Sequence, residues 1–110
     1  MAFTAYHNIS GAVAQDTELI TLNDLSNKTV KSIYISNTSA STAATASIYV
    51  FKDSTNTSVS ETYYLIKNVA VPVGVSLVLD DSSLLGFNNS IFSLYITVGS
   101  SDFLDVVIRT

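Results

Sequence analysis

Apolar side chains in this chain recur at every second position over short stretches, and that period restricts the fold more than any other feature. Phe92, Leu94, Ile96 and Val98 form one wholly apolar set, and Leu104, Val106 and Ile108 form another. A period of two belongs to extended backbone, whose successive side chains point to opposite faces. Few segments carry apolar residues at helical spacing. β-Branched and aromatic residues are abundant, and Gly11, Gly74, Gly86 and Gly99 fall between the periodic runs, where turns need them.

The alternation predicts strands over Ile9 to Ala14, Thr17 to Leu22, Thr29 to Ser36, Ala46 to Lys52, Thr62 to Val71, Val75 to Leu79, Ile91 to Val98 and Phe103 to Arg109. The first two read as a hairpin around Gln15 and Asp16, and Gly99 to Asp102 reads as a second hairpin turn. Asn37 to Thr45 and Asp53 to Ser60 are polar loops. Asp80 to Asn89 reads as a corner in which Leu84, Leu85 and Phe87 still touch the core. About eight short strands at this spacing imply an all-β fold. The expected architecture is an antiparallel two-layer β-sandwich, jelly-roll-like or immunoglobulin-like, with a small barrel as the alternative. At 110 residues the chain is sized for a single domain over 1–110, with residues 1–10 as an extended N-terminal arm.

Charge and composition narrow the partners. Five Lys and Arg against nine Asp and Glu give a net charge of −4. Lys28 and Lys31 are the only close cationic pair, so neither nucleic acid nor an anionic membrane is an expected partner. No apolar run approaches the ~20 residues of a membrane-spanning helix, and Met1 to Thr4 does not resemble the start of a signal peptide. There is no cysteine, which removes disulfides and thiolate zinc sites.

No catalytic pattern emerges. The single histidine, His7, has no G-x-S-x-G elbow to serve, and reads as a plain polar residue of the arm. Asp80 and Asp81 lack the alternating oxygens and glycine of a calcium loop and read as a solvated turn. No phosphate loop, dinucleotide fingerprint or HExxH is present, and no sequence feature selects a carboxylate pair for glycoside hydrolysis. Five Asn-x-Ser/Thr matches are what Asn-, Ser- and Thr-rich loops produce by chance. The chain is expected to be a non-enzyme without cofactors or metals.

The tyrosines and the two-sided strands remain. Ile91 and Tyr95 lie opposite the apolar face of their strand. Phe103 and Val107 share the second face of the last strand with Asp105 and Arg109. A strand apolar on both sides is covered by two layers or by another chain. Adding aromatic residues of the N-terminal segment, the expected interaction residues are Phe3, Tyr6, Ile91, Tyr95, Phe103 and Val107. Tyrosines can also stack on sugar rings, which keeps a carbohydrate-binding module as an alternative, although packing within a sheet explains most of them.

From Lys31 to Arg109 the chain resembles a family of small virion proteins of tailed bacteriophages, particularly phages of cyanobacteria and other aquatic bacteria. The residues carrying the resemblance are Lys31-Ser32-Ile33-Tyr34-Ile35-Ser36-Asn37-Thr38-Ser39, Glu61-Thr62-Tyr63-Tyr64-Leu65-Ile66-Lys67-Asn68-Val69 and Val71-Pro72-Val73-Gly74-Val75-Ser76-Leu77-Val78-Leu79. The strings Leu94-Tyr95-Ile96-Thr97-Val98 and Leu104-Asp105-Val106-Val107-Ile108-Arg109 complete the pattern. The resemblance implies a structural part of the virion exterior, made in the host cytoplasm. The expected role is a capsid decoration or cement protein that contacts the major capsid protein or other virion proteins and forms a homo-oligomer. A neck, tail or fibre attachment component is the alternative within the same class. Attachment would use docked strands or an arm, strengthened by multivalency on a repeating lattice.

Overall fold

A computed structural model describes residues 4–10, 15–21, 29–39, 41–52, 61–89, 91–99 and 103–110. The strands are β1 (Thr4–Ser10), β2 (Gln15–Ile20), β3 (Ser32–Asn37), β4 (Ala44–Lys52), β5 (Glu61–Val71), β6 (Ser76–Leu79), β7 (Phe92–Val98) and β8 (Phe103–Arg109). A single helical turn, α1 (Ser82–Leu85), lies between β6 and β7.

The pairing follows one rule: first with last, working inward. β1 pairs with β8, β2 with β7, β3 with β6 and β4 with β5, all antiparallel. That is the ladder of one long hairpin with its tip between β4 and β5. Rolling it so that β3 docks on β8 and β4 on β7 produces two four-stranded sheets. Sheet A has the order β1-β8-β3-β6 and sheet B the order β2-β7-β4-β5. This is the jelly-roll topology, which selects between the expected sandwich types and excludes a closed barrel.

The alternation then builds the core. Ile33, Ile35, Leu104, Val106 and Ile108 of sheet A are each 0% exposed, as are Ala46, Ile48, Leu94 and Ile96 of sheet B. They form one cluster, with Leu65, Ile66, Leu77, Leu79, Phe87 and Phe92 packed at its margin. A register shift in β2 between Glu18 and Ile20 lets the consecutive residues Leu19 and Ile20 both reach the interior.

Turn chemistry joins the layers. The chain passes from β5 to β6 through a turn in which the Val75 amide donates to the Pro72 carbonyl at 3.1 Å. Gly74 sits at the third position with φ +75°, the left-handed conformation a type II turn requires. Asn37, 6% exposed, donates to the carbonyls of Val71 (2.8 Å) and Thr42 (2.9 Å) and accepts from the Ser39 amide. One side chain thereby ties β3 to the end of β5 across the sandwich. Asp81 caps α1 by accepting from the Ser83 amide and hydroxyl, so the Asp80–Asp81 corner has a capping role beyond solvation. Leu85, 1% exposed, and Phe87 anchor that corner in the core as the sequence indicates.

Three expectations are corrected. β1 and β2 lie in different sheets and form no hairpin, because each finds its partner near the other end of the chain. β7 and β8 likewise belong to opposite sheets and do not pair, so the hairpin expected around Gly99 to Asp102 does not form. Residues 4–10, expected as most of a free arm, are a full-length partner of β8 from Thr4↔Arg109 to Ser10↔Phe103. Ile9, opposite Leu104, is 4% exposed and belongs to the core. Ile9→Ala is therefore expected to cost about 2–5 kcal/mol in urea unfolding; a residue on a free arm would change stability by no more than about 0.5 kcal/mol.

Candidate interaction surface

With the inward side chains committed to the core, the outward ones leave two sheet faces that differ sharply. On sheet B aromatic residues close most of the outer face over themselves, leaving Tyr64 at its β5 edge 47% exposed. Register places Tyr64, Tyr49 and Tyr95 side by side on β5, β4 and β7. The Tyr49 and Tyr95 rings stack with centroids 5.4 Å apart and planes 4° from parallel. Tyr64 packs on Tyr49 at 5.4 Å, and Phe51 meets Tyr95 edge-on at 6.1 Å.

The hydroxyls of this layer are also engaged. Tyr49 Oη donates to Asp16 Oδ2 at 2.9 Å and Tyr95 Oη to Glu18 Oε2 at 3.1 Å. Thr97 Oγ1 donates to the other Asp16 oxygen at 2.7 Å. Burial, reinforced by the Asp16 carboxylate, pushes the Tyr49 phenol well above its usual range. Burial and then Glu18 raise Tyr95. Lys67 Nζ lies 4.8 Å from the centre of the Tyr64 ring. Sugar stacking needs a ring face turned to solvent. Here Tyr49 and Tyr95 turn their faces to each other, and Tyr64 lies between Lys67 and Tyr49. Although it projects out of its sheet, Tyr49 is only 8% exposed.

Sheet A is different. Its outer residues are Phe103, Asp105, Val107 and Arg109 on β8, Ser32, Tyr34 and Ser36 on β3, and Ser76 and Val78 on β6. Register aligns Val107 with Tyr34 and Tyr34 with Val78, and on the other side Val107 with position 6 of β1. The result is an uncharged row, Val107–Tyr34–Val78, across β8, β3 and β6. Tyr34 is 38% exposed, Val78 44% and Phe103 43%. Val73 and Val75, in the turn leading to β6, extend the exposed apolar surface. A contiguous apolar patch of this kind marks an interaction site more often than scattered surface apolar residues do.

The sequence-derived residues divide between the faces. Phe103 and Val107 lie on the open face of sheet A, and Tyr6 occupies the strand position opposite Val107. Tyr95 belongs to the closed layer of sheet B. Ile91 sits in the turn before β7, half-buried, its amide donating to the Asn88 carbonyl. Phe3 lies outside the described residues. Sequence reasoning missed Tyr34 and Val78. The alternation around Ile33 and Ile35 already placed Tyr34 on the opposite face; what could not be read was that β3 and β6 adjoin β8.

No chemical centre competes with this surface among the described residues. No three His, Asp or Glu side chains converge as a metal site there, and no described helix is long and apolar enough to cross a membrane. His7 pairs with Val106 by backbone register and so belongs to a strand.

The closed layer has a consequence for pH. Because the folded state raises the Tyr49 phenol above its ordinary value near 10, the stability it confers is complete below about pH 10. It is lost as pH climbs further and the unfolded chain ionises first. Between about pH 10 and 12, Tyr49→Phe is expected to show a shallower loss of stability than wild type, while costing about 1–2 kcal/mol at neutral pH. Parallel urea titrations in both ranges check this; equal alkaline slopes would contradict it.

In comparison with known proteins, no family model and no curated protein matches the chain.

Proposed function

We propose that the protein is a non-enzymatic structural component of a phage virion, a capsid decoration or cement protein that attaches to the outer shell and stabilises it. One observation carries this reading: an uncharged row, exposed at Tyr34 and Val78, crosses β8, β3 and β6 of sheet A on a domain whose described inward residues pack into one core. Such a surface is costly to leave in water and is satisfied by assembly. The resemblance of residues 31–109 to small virion proteins supplies the particle, and the −4 charge fits a part that does not handle nucleic acid. The partners are then the major capsid protein or other virion proteins, with the protein on the particle exterior.

A decoration protein works by repetition. Each contact can be weak, because neighbouring copies on a lattice are held at high effective concentration. A neck, tail or fibre attachment component uses the same surface logic at lower copy number. A carbohydrate-binding module draws support from the tyrosine row of sheet B, but the engaged ring faces favour it less than assembly.

Quantitative mass spectrometry of purified particles of the encoding phage checks the reading. Hundreds of copies per particle are expected. Six or twelve would move the protein to the neck or tail, and its absence from particles would overturn the virion role.

A further inference from the structure

We propose that the outer face of sheet A is covered by a second copy of this chain, packed face to face about a two-fold axis. The axis lies between the sheets, perpendicular to the strands, at the level of Val107. The inference extends the assembly reading by naming the occupant of the exposed row, and its test is independent of particle binding.

The charge pattern selects this occupant. On the outer face of β8, Asp105 and Arg109 stand two residues before and two residues after Val107. A two-fold perpendicular to the strands reverses β8 over its mate. Asp105 of each copy then faces Arg109 of the other, and Val107 faces Val107. A two-fold along the strands would instead set Asp105 over Asp105 and Arg109 over Arg109, which like-charge repulsion disfavours. The β8 strip is therefore complementary to itself in the first orientation and not in the second.

The uncharged residues obey the same symmetry. The row Val107–Tyr34–Val78 lies along the proposed axis, so each member meets its own counterpart and Tyr34 packs on Tyr34. The neighbouring rows contain Ser36, level with Asp105, and Ser32, level with Arg109. Reversal brings Ser36 opposite Ser32, both small polar side chains, of which Ser32 is only 7% exposed within its own protomer. Ser36 and Ser76 already share a hydrogen bond of 2.7 Å within their own face.

Size sets the strength. Strands about 4.8 Å apart and residues rising about 3.3 Å give a four-stranded face roughly 19 by 23 Å. That is roughly 440 Å² on each partner and ~870 Å² in total, below the ~1,200 Å² of stable specific interfaces, so the contact is a weak one that forms at high local concentration. A dimer would duplicate every remaining surface of the protomer. It could thus bridge two equivalent sites on a shell, as a clamp must.

Sedimentation velocity on the pure protein, from about 1 to 500 µM, tests the proposal with two charge reversals, Asp105→Arg and Arg109→Asp. Wild type is expected to dimerise with concentration. Each reversal alone should weaken self-association at least ~10-fold, because both charges of the pair then have one sign. An equimolar mixture should regain dimers, since the all-cationic face of one variant meets the all-anionic face of the other. A monomeric wild type at 500 µM, a dimer indifferent to both reversals, or a mixture that regains nothing would each overturn it. Indifference would place the contact elsewhere, such as the edge of β1. Circular dichroism verifies folding of the variants. If either reversal fails to fold, Val78→Asp, at an exposed position outside the charge pair, must dissociate the dimer for the proposal to stand. Binding to phage heads is measured separately, so a monomer that still binds heads refutes the dimer and leaves the virion role intact.

Discussion

The structure depends on apolar contact between two sheets, each of which has a dry side. Ile33, Ile35 and Val106 of sheet A share one water-free interior with Ile48, Leu94 and Ile96 of sheet B. At roughly 25 cal/mol for each Å² of apolar surface removed from water, burying such side chains is the dominant favourable term in a chain with no disulfide and no described helix beyond one turn. The first-with-last pairing makes that contact possible. It places β7 and β8 inside different sheets, so that their strictly alternating faces meet across the interior. The same pairing makes the contacts long-range in sequence, and formation of the β1–β8 ladder must close nearly the entire chain.

Polar groups within this frame are satisfied locally and by few residues. Asn37 reaches two carbonyls on different segments, and Asn89 donates to the Thr21 and Phe92 carbonyls. Among the described residues no buried side-chain nitrogen or oxygen lacks a hydrogen-bond partner. Lys52 and Glu61, at the mouth of the β4–β5 ladder, form an ion pair at 2.7 Å. The carboxylate is held below its usual range chiefly by Lys52, and Tyr63 also donates to it. The edge of sheet B is thus marked by charge. Asp16 and Glu18 lie on β2, and Lys67 lies on β5 beside Asn68, whose φ of 54° interrupts the regular extended backbone. Charges and irregularities of this kind discourage unwanted edge pairing.

Local signals in the sequence carried much of this. The strand over Phe103–Arg109 coincides with its expected span, and the others deviate mainly at their ends because alternation marks a strand's middle better than its termini. β1 is the largest departure: Thr4–Ser10 has weak apolar alternation, and only its long-range pairing with β8 makes it a strand. The two hairpins failed for a related reason, since a short polar connection is compatible with either a tight turn or a crossing between layers. The candidate surface was half legible. Phe103 and Val107 follow from a strand apolar on both sides. Separating them from Tyr95 required knowing that Tyr95 stacks on Tyr49 on its face while Tyr34 and Val78 stay exposed on the other.

The central claim is that the outer face of sheet A is bare in the isolated protomer and covered in the assembled protein. The absence of native cysteine allows a single introduced thiol to report on each face. Val78→Cys samples sheet A, and Tyr64→Cys samples the exposed edge of sheet B. Thiol labelling rates, compared between dilute monomer and assembled protein, provide the most direct measurement. At least ~10-fold protection of the Val78→Cys thiol on assembly, with smaller change at the Tyr64→Cys thiol, is the expected result. Equal reactivity of the Val78→Cys thiol in both states would contradict the account.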